Sequence, residues 1–240
     1  MQGQYTYTGK TARQAGNALW FILLAVALFG ALTATLSRNT STVNQTGGVE
    51  QARIRAASIL KYTTAIQTAM QRMLLEGISE NELSFEEIGE DYKNTSCTDQ
   101  TCKIFNVSGG SIPFRTLASV TGEDTQEEWI VSAQNTLYMA GCDDSNSACT
   151  DLLLIAPDIS RTLCLQINAI QNIENPDGEP PQMKKILTDV KFDGRFTTDI
   201  NSYAIGGTDP SNEAPQVHGH NTACIMASDK YYFYQLLKAR

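Results

Sequence analysis

Residues 14–37 contain no Asp, Glu, Lys or Arg, and the block 18–36 is dominated by Leu, Ala, Phe, Val and Ile, closed at its two ends by Arg13 and Arg38. A helix rises about 1.5 Å per residue, so about 20 apolar residues cover a bilayer core about 30 Å thick. One membrane helix is therefore expected at 17–37, behind a short leader at 1–16. A cleaved secretory signal competes with this reading, but its apolar core spans only about 7–15 residues and ends in a small-x-small site. Ala34-Thr35-Leu36 and Leu36-Ser37-Arg38 fit such a site poorly, which favours a retained anchor in contact with membrane lipid.

Charge sets the expected orientation. Lys10 and Arg13 precede the span and no acidic residue occurs before Glu50. Basic flanks stay cytoplasmic, so the N-terminus is expected inside and the remaining chain on the far, exported side of the membrane.

All six cysteines, Cys97, Cys102, Cys142, Cys149, Cys164 and Cys224, follow the apolar run. An even count in an exported domain reads as disulfides. Local loops suggest Cys97 with Cys102, Cys142 with Cys149, and Cys164 with Cys224. In the chain-entropy view the two short loops contribute about 2 kcal/mol each and the long one about 4 kcal/mol. Zinc is the competing use, because His218 and His220 lie near Cys224. Structural zinc sites prefer C-x(2–4)-C pairs, and the second loop is longer than that, with neither pair a CxxC. No metal site is expected.

The net charge of −8 and pI near 4.8 leave no basic patch to neutralise phosphates, which argues against nucleic-acid binding. Residues 38–48 are expected to form a polar, flexible neck, since 39–48 read Asn-Thr-Ser-Thr-Val-Asn-Gln-Thr-Gly-Gly with little helix propensity. A head domain is expected at 49–240. It opens with Ala52, Ala56, Ile59, Ile66, Met70 and Met73 at helical spacings, widened by Ala57, Leu60 and Leu74. That amphipathic helix should end near Gly77.

Ser79 and Glu82 have capping-box spacing. Strands are expected at 103–107, 129–132 and 136–139, and a buried one at 152–156. Asp158 is placed to cap a helix in which Ile159, Leu163, Ile167 and Ile170 recur, putting Cys164 on that helix. Turn-rich loops follow at 175–181 and 206–219, and 224–226 with 231–237 read as a closing hairpin. The expected fold class is α+β: a transmembrane helix, a neck, and a long amphipathic helix on a small antiparallel sheet within a disulfide-stapled, loop-rich head.

A short charged leader ending at Gly16, an apolar helix emerging on the exported side and a stapled α+β head together resemble a type IV pilin or pseudopilin. The resemblance covers the first forty or so residues specifically. It implies cleavage by a prepilin peptidase between Gly16 and Asn17, and packing of the apolar helix with other pilin-like subunits in a filament or secretion apparatus. The chain departs from the family pattern in carrying Asn17 where an aromatic or Met follows the cut, and Phe21 where the family has Glu.

No constellation for catalysis is evident. There is no G-x-S-x-G elbow to accompany His218 or His220, no CxxC, and neither Gly47-Gly48 nor Gly206-Gly207 sits in a phosphate-binding loop. Asp143-Asp144 and Glu86-Glu87 lie outside any EF-hand pattern. The chain is read as a non-enzyme without a cofactor. It is either a filament subunit, hence a homo-oligomer, or a permanently anchored periplasmic binding module.

Overall fold

In the computed structural model, residues 17–138, 150–196, 204–209 and 213–240 are described, with backbone only at 17–18 and 34–47. The chain divides into two compact units, Met1–Gly48 and Val49–Arg240. Helix α1 runs from Asn17 to Leu75. The stretch expected as a flexible neck is thus helical backbone, which corrects the sequence expectation. Its Asn, Thr, Ser and Gly residues each cost at most about 1 kcal/mol against Ala, and no proline blocks the ladder. Extending a helix that is already nucleated costs less than breaking it and nucleating another. The helix ends near Gly77, as expected, and that residue's φ of 99° lets Ile78 donate its N–H to the Met73 carbonyl at 3.1 Å.

The second unit is built on a five-stranded sheet: β1 (Ile130–Asn135), β2 (Asp151–Ala156), β3 (Gln182–Met183), β4 (Thr222–Ala227) and β5 (Lys230–Lys238). Their spatial order is β1-β2-β5-β4-β3. All neighbours are antiparallel except β3 and β4. The turn between β4 and β5 is Ser228-Asp229 with φ of 50° and 61°, the left-handed pair that a tight hairpin requires.

Alternation along the strands sorts two cores. Leu152, Leu154, Ala156, Cys224, Phe233 and Leu237 share a cluster with Ile59, Ile66, Met70 and Met73 of α1, and with Leu163 and Ile167 of α3 (Arg161–Ile170). Leu153, Ile155, Ala223, Ile225, Tyr234 and Leu236 form the opposite cluster with Leu137, Ile205 and Val217 from loops. The unbroken apolar run of β2 follows, since both of its faces are buried.

Three local expectations fail for identifiable reasons. Residues 103–107 form turns, touching the rest of the fold in strand fashion only through the Ser84–Lys103 bridge. Gly109 and Gly110 pack on the Lys103 and Ile104 carbonyls, where any Cβ would collide, so the segment folds back on itself. Residues 136–139 contribute an isolated Leu137–Ile205 bridge within their described part. Ser160, not Asp158, caps α3, its hydroxyl accepting the Leu163 N–H at 3.3 Å. Asp158 adopts a φ of 50° and accepts a hydrogen bond from the Lys230 ammonium at 2.7 Å.

Candidate functional site

The feature that ordinary domain packing leaves unexplained is the first part of α1. Leu19, Trp20, Phe21, Ile22, Leu23, Leu24, Val26, Leu28, Phe29 and Leu32 are all exposed, from 45% at Leu24 to 70% at Phe29. Six of them are consecutive and pass more than once around a 3.6-residue turn, so no polar face remains. Burying one such side chain is worth about 1.5–3 kcal/mol, and a helix that is apolar all round is ordinarily covered. Polarity is also muted locally: the Thr33 hydroxyl donates back to the Phe29 and Gly30 carbonyls at 2.9 and 3.0 Å. Among the described residues, no helix is long and apolar enough to cross a membrane. Gly16 lies outside the described residues, and Asn17 is the first residue of α1.

The head is covalently braced. Cys97 and Cys102 form a disulfide with Cα atoms 5.6 Å apart, and Cys164 and Cys224 one at 5.3 Å. The second ties α3 to β4 inside the core and closes a separation of 60 residues. Cys142 and Cys149 lie outside the described residues, as do Asp143 and Asp144. Because the Cys224 sulfur is bonded to Cys164, it is not available beside His218 and His220 as a metal ligand. His218 has its Nδ1 3.1 Å from the Gly206 carbonyl and its ring on Tyr138, and the His220 carbonyl accepts from the Tyr234 hydroxyl. Of the Glu86-Glu87 pair, Glu86 is held by Lys103 at 2.7 Å.

Buried polar residues escaped the sequence reading. Gln235, 3% exposed, accepts from the Thr222 hydroxyl at 2.6 Å and donates to Gln67 at 3.2 Å, joining β4 and β5 to α1. Asn168 on α3 both donates to and accepts from the backbone of Cys224. Asp151 accepts the N–H groups of Leu137 at 2.7 Å and Arg240 at 3.1 Å. Burial pushes its carboxyl above the ordinary value of 3.8, against the opposing pull of those N–H groups and of Lys238. The available signal was a polar residue inside an apolar run: Gln235 among Tyr234, Leu236 and Leu237, and Asn168 one turn beyond Cys164. These groups are bonded internally and fasten elements together.

No family model, no curated protein and no solved structure matches this chain.

Proposed function

We propose that this chain is a pilin-like or pseudopilin-like structural subunit, held in the bacterial inner membrane by the apolar part of α1 until it joins a filament or secretion apparatus. The observation that carries the reading is the exposed, all-round apolar surface of residues 19–33 in the same helix whose later part packs into a disulfide-braced α+β head. Such a surface needs either lipid tails or neighbouring helices around it. A pilin-like life uses both in turn.

In this scheme a prepilin peptidase cuts between Gly16 and Asn17, and the freed helix exchanges lipid for the helices of other copies. Ala25, Ala27, Gly30 and Ala31 allow close approach along that helix, with open space where a Gly30 side chain would stand. The head stays on the periplasmic or cell-surface side, where its disulfides persist.

Phe21, standing where the family has Glu, favours a second reading: a permanently anchored periplasmic module that binds a partner without polymerising. Intact-mass spectrometry separates the two. A mature chain that begins at Asn17, together with fibres in sheared surface material by electron microscopy, supports the subunit. A membrane-extracted chain that retains Met1, with no fibres, supports the module and overturns the proposal.

A further inference from the structure

Exchanging lipid for helix neighbours changes the apolar burial of residues 19–33 little, so the heads of a filament subunit must supply specific contacts. In the Val49–Arg240 unit one stretch gathers several cations and another several carboxylates outside any ion pair among the described residues. Arg53, Arg55 and Lys61 lie on α1, with Arg115 on the loop facing it, and no ion pair among the described residues uses any of them. The loop that follows α2 (Leu117–Thr121) carries Glu123, Asp124, Glu127 and Glu128, which also take part in no ion pair. Two cations close to this loop are already engaged: Lys230 with Asp158 and Arg161 with Glu179, each at 2.7 Å. Arg55 lies against Gly122, where the acidic loop begins, yet no carboxylate of that loop reaches it.

The basic side also has a shaped surface. A groove of about 490 Å³ runs between α1 and residues 112–115, with Ile54, Ala57, Ala65 and Pro113 among its apolar walls and Lys61 and Arg115 at its rim. Ile54 is 64% exposed there. The groove is preformed, because the Tyr62 hydroxyl accepts the Arg115 N–H at 3.0 Å and donates to the Pro113 carbonyl at 3.3 Å. The Arg115 guanidinium sits 5.7 Å from the Tyr62 ring centre, which holds its charge at the rim.

We infer that the occupant of this groove is the 123–128 loop of a second copy of this chain. The stems of Gln126, Glu127 and Glu128 would cover the apolar floor while their head groups meet Lys61 and Arg115, the way long polar side chains commonly cover apolar surface. Copies of so acidic a chain, whose net charge is −8 before the leader with Lys10 and Arg13 is cut away, repel at long range, so a stable contact must oppose local patches of opposite sign. The contact is heterologous: each copy offers a groove to one neighbour and a loop to the next, which builds a ring or an open filament rather than a closed pair. The inference rests on the filament-subunit reading and supplies its head-to-head contact.

Two full-length variants test it, both altered only at exposed charges: Lys61→Glu with Arg115→Glu, and Glu127→Lys with Glu128→Lys. The first has an acidic groove and an acidic loop, the second a basic groove and a loop whose two contacting positions, 127 and 128, are basic. Each alone should self-associate at least about tenfold more weakly than the parent chain by analytical ultracentrifugation in detergent. Mixed in equal amounts, the two should co-assemble, since each groove then meets a loop of opposite charge. In the parent chain, zero-length carbodiimide cross-linking of mixed nitrogen-14 and nitrogen-15 protein should join Lys61 to Glu127 or Glu128 across isotopes. Undiminished self-association of both variants overturns the groove-and-loop contact and leaves the filament reading standing. A parent chain that stays monomeric at every concentration and forms no fibres overturns both.

Discussion

Residues 19–33 and 52–73 belong to one helix, yet they distribute apolar side chains in opposite ways. In the later stretch Ala56, Ile59, Ile66, Met70 and Met73 form a stripe that the sheet covers, while Arg53, Lys61, Thr64, Thr68 and Gln71 face outward. In the earlier stretch every large apolar side chain is exposed and no stripe exists. Periodicity carries the difference. A stripe at 3.6-residue spacing needs cover on one side only, whereas an apolar helix without a stripe needs cover all round.

Substitutions can break that contrast. The largest effect belongs to the head: removing the Cys164–Cys224 bridge by Cys164→Ala with Cys224→Ala should lower unfolding free energy by about 4 kcal/mol, read by denaturant melts. Met70→Ala, in the fully buried stripe, should cost about 3 kcal/mol in the same assay. Leu23→Arg should leave the melting of the head unchanged while opposing membrane insertion by about 3 kcal/mol, seen as a shift of full-length chain out of the membrane fraction. If Leu23→Arg instead destabilised the head, the two stretches of α1 would not differ as argued.

Smaller effects sharpen the account of the sheet. Asp151→Ala strands the Leu137 N–H in the core and should cost about 2 kcal/mol. The buried Asp151 carboxyl binds its proton more tightly in the folded state than in the unfolded chain, where its value is near 3.8. Its contribution to stability is therefore fullest below that value and is lost as pH rises through the raised folded value. Melts of the parent and of Asp151→Asn should show the parent gaining on the variant as pH falls toward 3.8. A constant difference across that range would remove the buried-charge explanation.

The legible parts of the sequence were those in which one period dominates. The stripe of α1, the apolar run of β2, the α3 helix bearing Cys164 and the closing hairpin all carry a repeating pattern that burial then enforces. The polar stretch 39–48 misled because weak helix formers are tolerated between two strong helical segments. Residues 103–107 misled because strand-like composition was overruled by the close approach of Gly109 and Gly110 to the Lys103 and Ile104 carbonyls. Asp158 has the chemistry of a cap, but its backbone entered the left-handed region and Ser160 took that role. Gln235, Asn168 and Asp151 were missed because a polar side chain is legible as buried only once its partner, distant in sequence, is known.

The most direct test of the central claim, that residues 19–33 are covered by something outside the chain's own fold, is fractionation of the full-length protein after an alkaline carbonate wash of membranes. The account predicts that the chain remains in the pellet and leaves it when Leu23→Arg is introduced. A parent chain found monomeric in the supernatant, with neither lipid nor other copies around its apolar helix, would contradict it.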